Sequence, residues 1–100
     1  MVLEKNIVAA IMRSLKYRGI WCFKVHGSVF QRAGIPDIIA VVKGLAVFIE
    51  VKTPTGKVSR IQDHVMNELA RHGAVVGVAY SKEDALDIIK VAEERSKNYG

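Results

Sequence analysis

A single cysteine, Cys22, stands in the whole chain, which excludes an internal disulfide and any metal cage built on thiolates. Lying in an apolar strand, it is expected to be a buried small hydrophobe. No apolar run approaches the roughly 20 residues that span a bilayer. Met1-Val2-Leu3-Glu4-Lys5 puts an acid ahead of any apolar stretch and offers no small-residue cleavage site, so no signal peptide is expected. These absences point to a reducing, cytoplasmic setting without membrane contact. No Gly-rich loop precedes a Lys-Ser/Thr pair, which argues against a nucleotide cofactor, and no histidines are paired at zinc spacing. No serine sits in a nucleophile elbow. Repeats, low-complexity tracts and linkers are also missing, so residues 1–100 are read as one domain, its apolar half sufficient for one core.

What the chain has in modest excess is positive charge, a formal +5 with a pI near 9.6. That balance suits a polyanionic partner, or solubility alone. Placement says more. Arg32, Lys52, Lys57 and Arg60 bracket a pair of acids, Asp37 and Glu50, in sequence.

Leu3, Ile7, Ile11 and Leu15, with Val8 and Met12, have the spacing of an amphipathic helix ending near Gly19. At about 100° per residue, Glu4 falls near the middle of that apolar stripe. It either complements the helix dipole or supplies a further acid to a site inside. Ile20 to Val25 reads as a strand with Trp21 and Phe23 on one face. The loop His26 to Gly34 carries Ser28, Phe30, Gln31 and Arg32, groups able to follow a nucleic-acid backbone; Phe30 is assigned instead to the edge of the core. Ile38 to Val42 and Ala46 to Val51 are apolar strands joined by Lys43-Gly44-Leu45. Ser59-Arg60-Ile61-Gln62 has the pattern of a capping box and opens a second helix, with Ile61, Val65, Met66 and Leu69 as its stripe and Gly73 as its stop. Ala74 to Tyr80 is an unbroken apolar run, expected of a strand buried on both faces. A third helix starts at Ser81 with Ala85, Ile88, Ile89 and Ala92 inward, and the polar tail from Glu93 is expected to fray. The order is α-β-β-β-α-β-α: an antiparallel meander, then a crossover to a parallel fourth strand, with helices flanking the mixed sheet.

Side chains alternate along a strand, so Glu50 and Lys52 share one face and Val47, Ile49 and Val51 the other. The hairpin brings Asp37 to the same end as Glu50. Two acids converging there suit Mg²⁺ or Mn²⁺, which favour oxygen ligands, and the Val51 carbonyl could add a third. Such a cation makes water a competent nucleophile toward phosphorus. Lys52 beside it could orient that water, assist its deprotonation or offset transition-state charge. A plain surface ion pair, with Asp37 as a turn residue, would leave the convergence of three charges on an apolar hairpin unexplained. Gln62, at the edge of its helical stripe, could face this centre as well as, or instead of, capping.

Gly34-Ile35-Pro36-Asp37, Glu50-Val51-Lys52 and Ser59-Arg60-Ile61-Gln62 together resemble the PD-(D/E)xK nuclease superfamily and, within it, the virus-type replication-repair nuclease (VRR-NUC) family. The resemblance covers nearly the whole chain. It implies a restriction-endonuclease-like α/β core and metal-dependent hydrolysis of DNA in a bacterial or phage-infected cell. By analogy Asp37, Glu50 and the Val51 carbonyl hold the divalent metal, Lys52 acts on the attacking water, and Glu4 and Gln62 support the site. Ser28, Gln31, Arg32, Lys57 and Arg60 are the residues expected to touch DNA. Small stand-alone members are similar to Holliday-junction resolvases, which implies a homodimer acting on branched DNA. The alternatives are a small nuclease with little structure preference, or a non-catalytic DNA-binding module that keeps the fold.

Overall fold

The four apolar positions repeating at three and four residues, Ile7, Val8, Ile11 and Leu15, are the buried ones of helix α1 (Glu4–Tyr17). The structure, a computed structural model, describes residues 2–27 and 32–98. After α1 come strands β1 (Trp21–Lys24), β2 (Ile38–Val42) and β3 (Leu45–Val51), helix α2 (Arg60–Arg71), strand β4 (Val75–Ala79) and helix α3 (Lys82–Ser96). The sheet runs β1-β2-β3-β4. The first three strands pair antiparallel and β4 lies parallel to β3, as the α2 crossover requires. Lys43 and Gly44 turn β2 into β3 with φ values of 50° and 84°, the left-handed pair that a two-residue type I′ hairpin demands.

The sheet's two faces differ. Helices α1 and α3 pack on each other and on one face, where Ile38, Val47, Ile49 and Val51 meet Ile11, Leu15, Ile89 and Ala92 in a single apolar cluster. All eight side chains are fully buried, and each of the larger ones contributes about 1.5–3 kcal/mol. Gly77 belongs here because a Cβ would stand 2.5 Å from Cδ1 of Ile88, so β4 and α3 approach only through a missing side chain.

The opposite face carries two cross-strand rows, Trp21–Val41–Ala46 and Phe23–Ile39–Phe48–Val76, and after them Glu50. Helix α2 lies over β4, burying its own Val65 and Met66 outside the main cluster. The β1–β2 end stays open: Trp21 is 61 % and Phe23 51 % exposed.

That opening corrects several expectations. Cys22 is half-buried, not buried, because β1 is an edge strand, and β1 itself is shorter than 20–25. The fourth strand is not buried on both faces: Val75 and Ala79 are, but Val76, Gly77 and Val78 are intermediate, since β4 lies at the sheet's other edge. The tail from Glu93 does not fray at once; α3 continues to Ser96 with Ala92 anchored in the core. Among the described residues no helix is long and apolar enough to cross a membrane.

Candidate active site

Ile38 sits opposite Ile49 in the β2–β3 register, so Asp37, one step before β2, arrives beside Glu50. Asp37 is pinned on both sides. Its backbone carbonyl accepts the Val25 N–H at 2.8 Å, and its Oδ2 accepts the Val51 N–H at 2.7 Å. The carboxylate thus takes the place of a ladder partner just where β2 begins, a local competition with the sheet that short acidic side chains perform well. Val51 has little freedom: its side chain is fully buried in the core, and its neighbour Lys52 donates its N–H to the Ala79 carbonyl at 3.0 Å.

Glu50 is 1 % exposed, the only charged residue fully buried among those described. Lys52, two residues on and therefore on the same face, holds Nζ 3.5 Å from Glu50 Oε2. From the other side Gln62 Nε2 donates to the same oxygen at 3.3 Å. Gln62 does this while closing the α2 capping box: its Oε1 accepts the Ser59 N–H at 2.9 Å, and its own N–H reaches Ser59 Oγ at 3.2 Å. One glutamine therefore ties the start of α2 to the buried acid. Glu50 Oε1 is also buried and has no hydrogen-bond partner.

The electrostatics follow from that geometry. Burial pushes the Glu50 carboxyl up from an ordinary value of 4.5 to about 8, and the neighbouring Asp37 carboxylate pushes the same way. The Lys52 ammonium pulls it down but does not win. An acid so placed is poorly compensated by one lysine and one amide. A divalent cation beside it would supply the missing charge and a partner for Oε1, and the two carboxylates are the hard oxygen donors that Mg²⁺ or Mn²⁺ prefers.

Of the remaining candidates, only Arg32 shares a concavity with Asp37 among the described residues. Glu4 is exposed in the first turn of α1 and is not brought together with the two acids: among the described residues no three His, Cys, Asp or Glu side chains form a metal-sized group. Arg32 lines a concavity of about 260 Å³ with Gly34, Pro36 and Asp37, and its guanidinium pairs with Glu68 of α2. Lys57 and Arg60 are exposed just before α2 and in its first turn. Ser28, Phe30 and Gln31 lie outside the described residues.

Two features had no local sequence signal. Glu68 meets Arg32 across 36 positions. Gly34, at φ +87°, lies so close to α2 that a Cβ would stand 2.8 Å from the Ile61 carbonyl and 2.9 Å from Val65 Cγ2. The segment carrying Asp37 and the helix carrying Gln62 are thereby packed directly together.

Comparison with known proteins gives two findings. A family model described as the VRR-NUC domain matches residues 28–83. A solved structure described as a VRR-NUC domain superimposes with a TM-score of 0.73 at 24 % identity, over 87 % of this chain and 94 % of its own; a likeness at that identity speaks to the fold. No curated protein matches in sequence.

Proposed function

The chain belongs to the VRR-NUC family, whose fold is nuclease-type, and from that premise we propose that it is a metal-dependent, structure-selective DNA endonuclease acting on branched DNA. One observation carries the proposal: a fully buried carboxylate with an unpartnered oxygen, flanked by a second acid and 3.5 Å from a lysine ammonium. A structural ion pair has no use for an acid left protonated near neutrality.

Asp37 and Glu50 would hold Mg²⁺ or Mn²⁺, the Val51 carbonyl serving as a further oxygen. A divalent cation supplies Lewis acidity toward phosphodiester oxygens and lowers the pKa of water. Lys52 keeps a positive charge beside the reacting phosphate, where it offsets developing negative charge and directs water toward phosphorus. Gln62 positions the Glu50 carboxyl. Glu4, exposed in the first turn of α1, complements the helix dipole in this scheme. Ser28, Gln31, Arg32, Lys57 and Arg60 are assigned to the DNA backbone.

The homodimer belongs to the same reading. Trp21, Phe23, Val41 and their row-mates leave roughly 400 Å² of apolar surface open, counting about 150–250 Å² for each whole aromatic side chain. A standard interface buries about 800 Å² per partner, a little more than half of it apolar. A second copy is the fitting occupant: the rows carry no charge, so a chain of net +5 can meet itself there without like charges opposed. Glu50 lies on the same face of the sheet, which would set two sites toward two strands of one substrate.

The test is incubation with a four-way junction, a flap and linear duplex, with and without Mn²⁺. Metal-dependent cleavage of the junction is expected, falling at least about 100-fold in Asp37→Asn and Lys52→Ala. Cleavage without metal, or undiminished in both variants, rejects the mechanism. Trp21→Glu should sediment as a monomer and lose paired cuts; full junction activity in that monomer rejects the two-site arrangement.

A further inference from the structure

Arg32 lines the concavity that Asp37 lines, yet its guanidinium is already engaged by Glu68. Glu68 sits on α2 with His64 four residues before it and Arg71 three after, one helical face. The Glu68 carboxyl is held below its ordinary pKa by the Arg32 hydrogen bond and charge first, and also by His64 and Arg71. An acid has therefore been set among three basic side chains, one of which, Arg32, lines the concavity beside Asp37.

The pair does little for the fold. Its side chains are 60 % and 34 % exposed, and exposed pairs contribute roughly 0–1 kcal/mol. The Arg32 segment is already held on α2 by the Gly34 contact. What Glu68 does supply is an oxyanion at the guanidinium. A DNA phosphate offers that guanidinium two parallel acceptors, where the contact with Glu68 uses one, Arg32 Nη2 to Oε1.

We infer that Glu68 is a stand-in for a DNA phosphate: it competes with the backbone for Arg32, and a strand enters the site by exchanging one anion for another on that guanidinium. This rests on the nuclease reading for its ligand, but not for its energetics. Removing the Glu68 charge should tighten DNA binding, and only while Arg32 is present.

The experiment is a double-mutant cycle on the full chain, made catalytically silent by Asp37→Asn, measuring the affinity of a fluorescent four-way junction across a salt series in EDTA. Arg32→Ala should weaken binding and flatten the salt dependence by about one counterion. Glu68→Gln should tighten binding up to about five-fold, the top of the range for an exposed pair. In the Arg32→Ala background that gain should vanish. An equal gain in both backgrounds would mean a long-range field with no exchange, and weaker binding in Glu68→Gln would mean that the acid merely holds Arg32 in place; either overturns the inference. Cleavage assayed with Asp37 intact separates the two readings. Metal-dependent cleavage without coupling sinks the exchange alone, whereas coupling in a chain that never cleaves sinks the nuclease reading alone.

Discussion

Val47, Ile49 and Val51 leave β3 toward α1 and α3, while Glu50 leaves the same strand toward Gln62 of α2, with Lys52 just past the strand's end paired to it. The first set is wholly apolar and wholly buried. The second holds an acid whose burial opposes its own charge, beneath a helix that covers only part of the sheet. Alternation along one strand thus separates two tasks that would otherwise conflict. Stability is concentrated on one side, so the other can carry a group that folding alone would not select.

Substitutions at adjacent positions should break that separation in opposite ways. Glu50→Gln is expected to reduce cleavage by about 100-fold or more, while leaving a folded protein. Ile49→Ala should lower unfolding free energy by about 2–5 kcal/mol, with activity per folded molecule retained. Chemical denaturation read beside the junction assay distinguishes them; loss of activity in both at equal folded fraction would mean the two faces are not independent.

The acid also gives the comparison a pH axis. Its folded pKa, about 8, lies above its ordinary 4.5, so the folded form binds the proton more tightly than the unfolded chain does. Its contribution to stability is therefore fully present below pH 4.5 and is lost as pH rises through about 8. Metal-free protein should melt at progressively lower temperature across that window, and Glu50→Gln should show a flatter profile. Mn²⁺ should restore the melting temperature at pH 8, since cation binding draws on the deprotonated form.

Gly34 is where the two halves of the site touch. Alanine there must adopt φ +87° and push against both the Ile61 carbonyl and Val65, a strain of about 1–2 kcal/mol from the backbone alone. Because the shift separates the Asp37 segment from α2, cleavage should fall further than the stability loss explains. A Gly34→Ala protein that cleaves normally would show that α2 and the Pro36-Asp37 segment need not be held in register.

Much of this was legible in the chain itself. The element order, the meander, the parallel crossover, the capping box and the meeting of Asp37, Glu50 and Lys52 follow from periodicity and turn chemistry, which are local. The edges were not. An apolar run such as Ala74 to Tyr80 looks the same in a central strand as at a sheet's rim, and Trp21 and Phe23 announce a shared face without saying that nothing covers it. The Arg32–Glu68 pair and the Gly34 contact join segments that only tertiary packing brings together.

The smallest effect sharpens the comparison most, because it parts a helix end from the acid it supports. Ser59→Ala removes the acceptor for the Gln62 N–H and should cost about 1 kcal/mol, as loss of an N-cap usually does. The Gln62 side chain still has the Ser59 N–H and Glu50 as partners, so cleavage should change by less than about three-fold, a fraction of the same energy. Gln62→Ala gives up the cap's return bond and the amide donor to Glu50 together. A carboxylate that loses a donor holds its proton more tightly, so the pH at which Mn²⁺ begins to protect and activate this variant should move upward, whereas in Ser59→Ala it should not. Equal pH profiles for the two variants would make Gln62 a cap and nothing more.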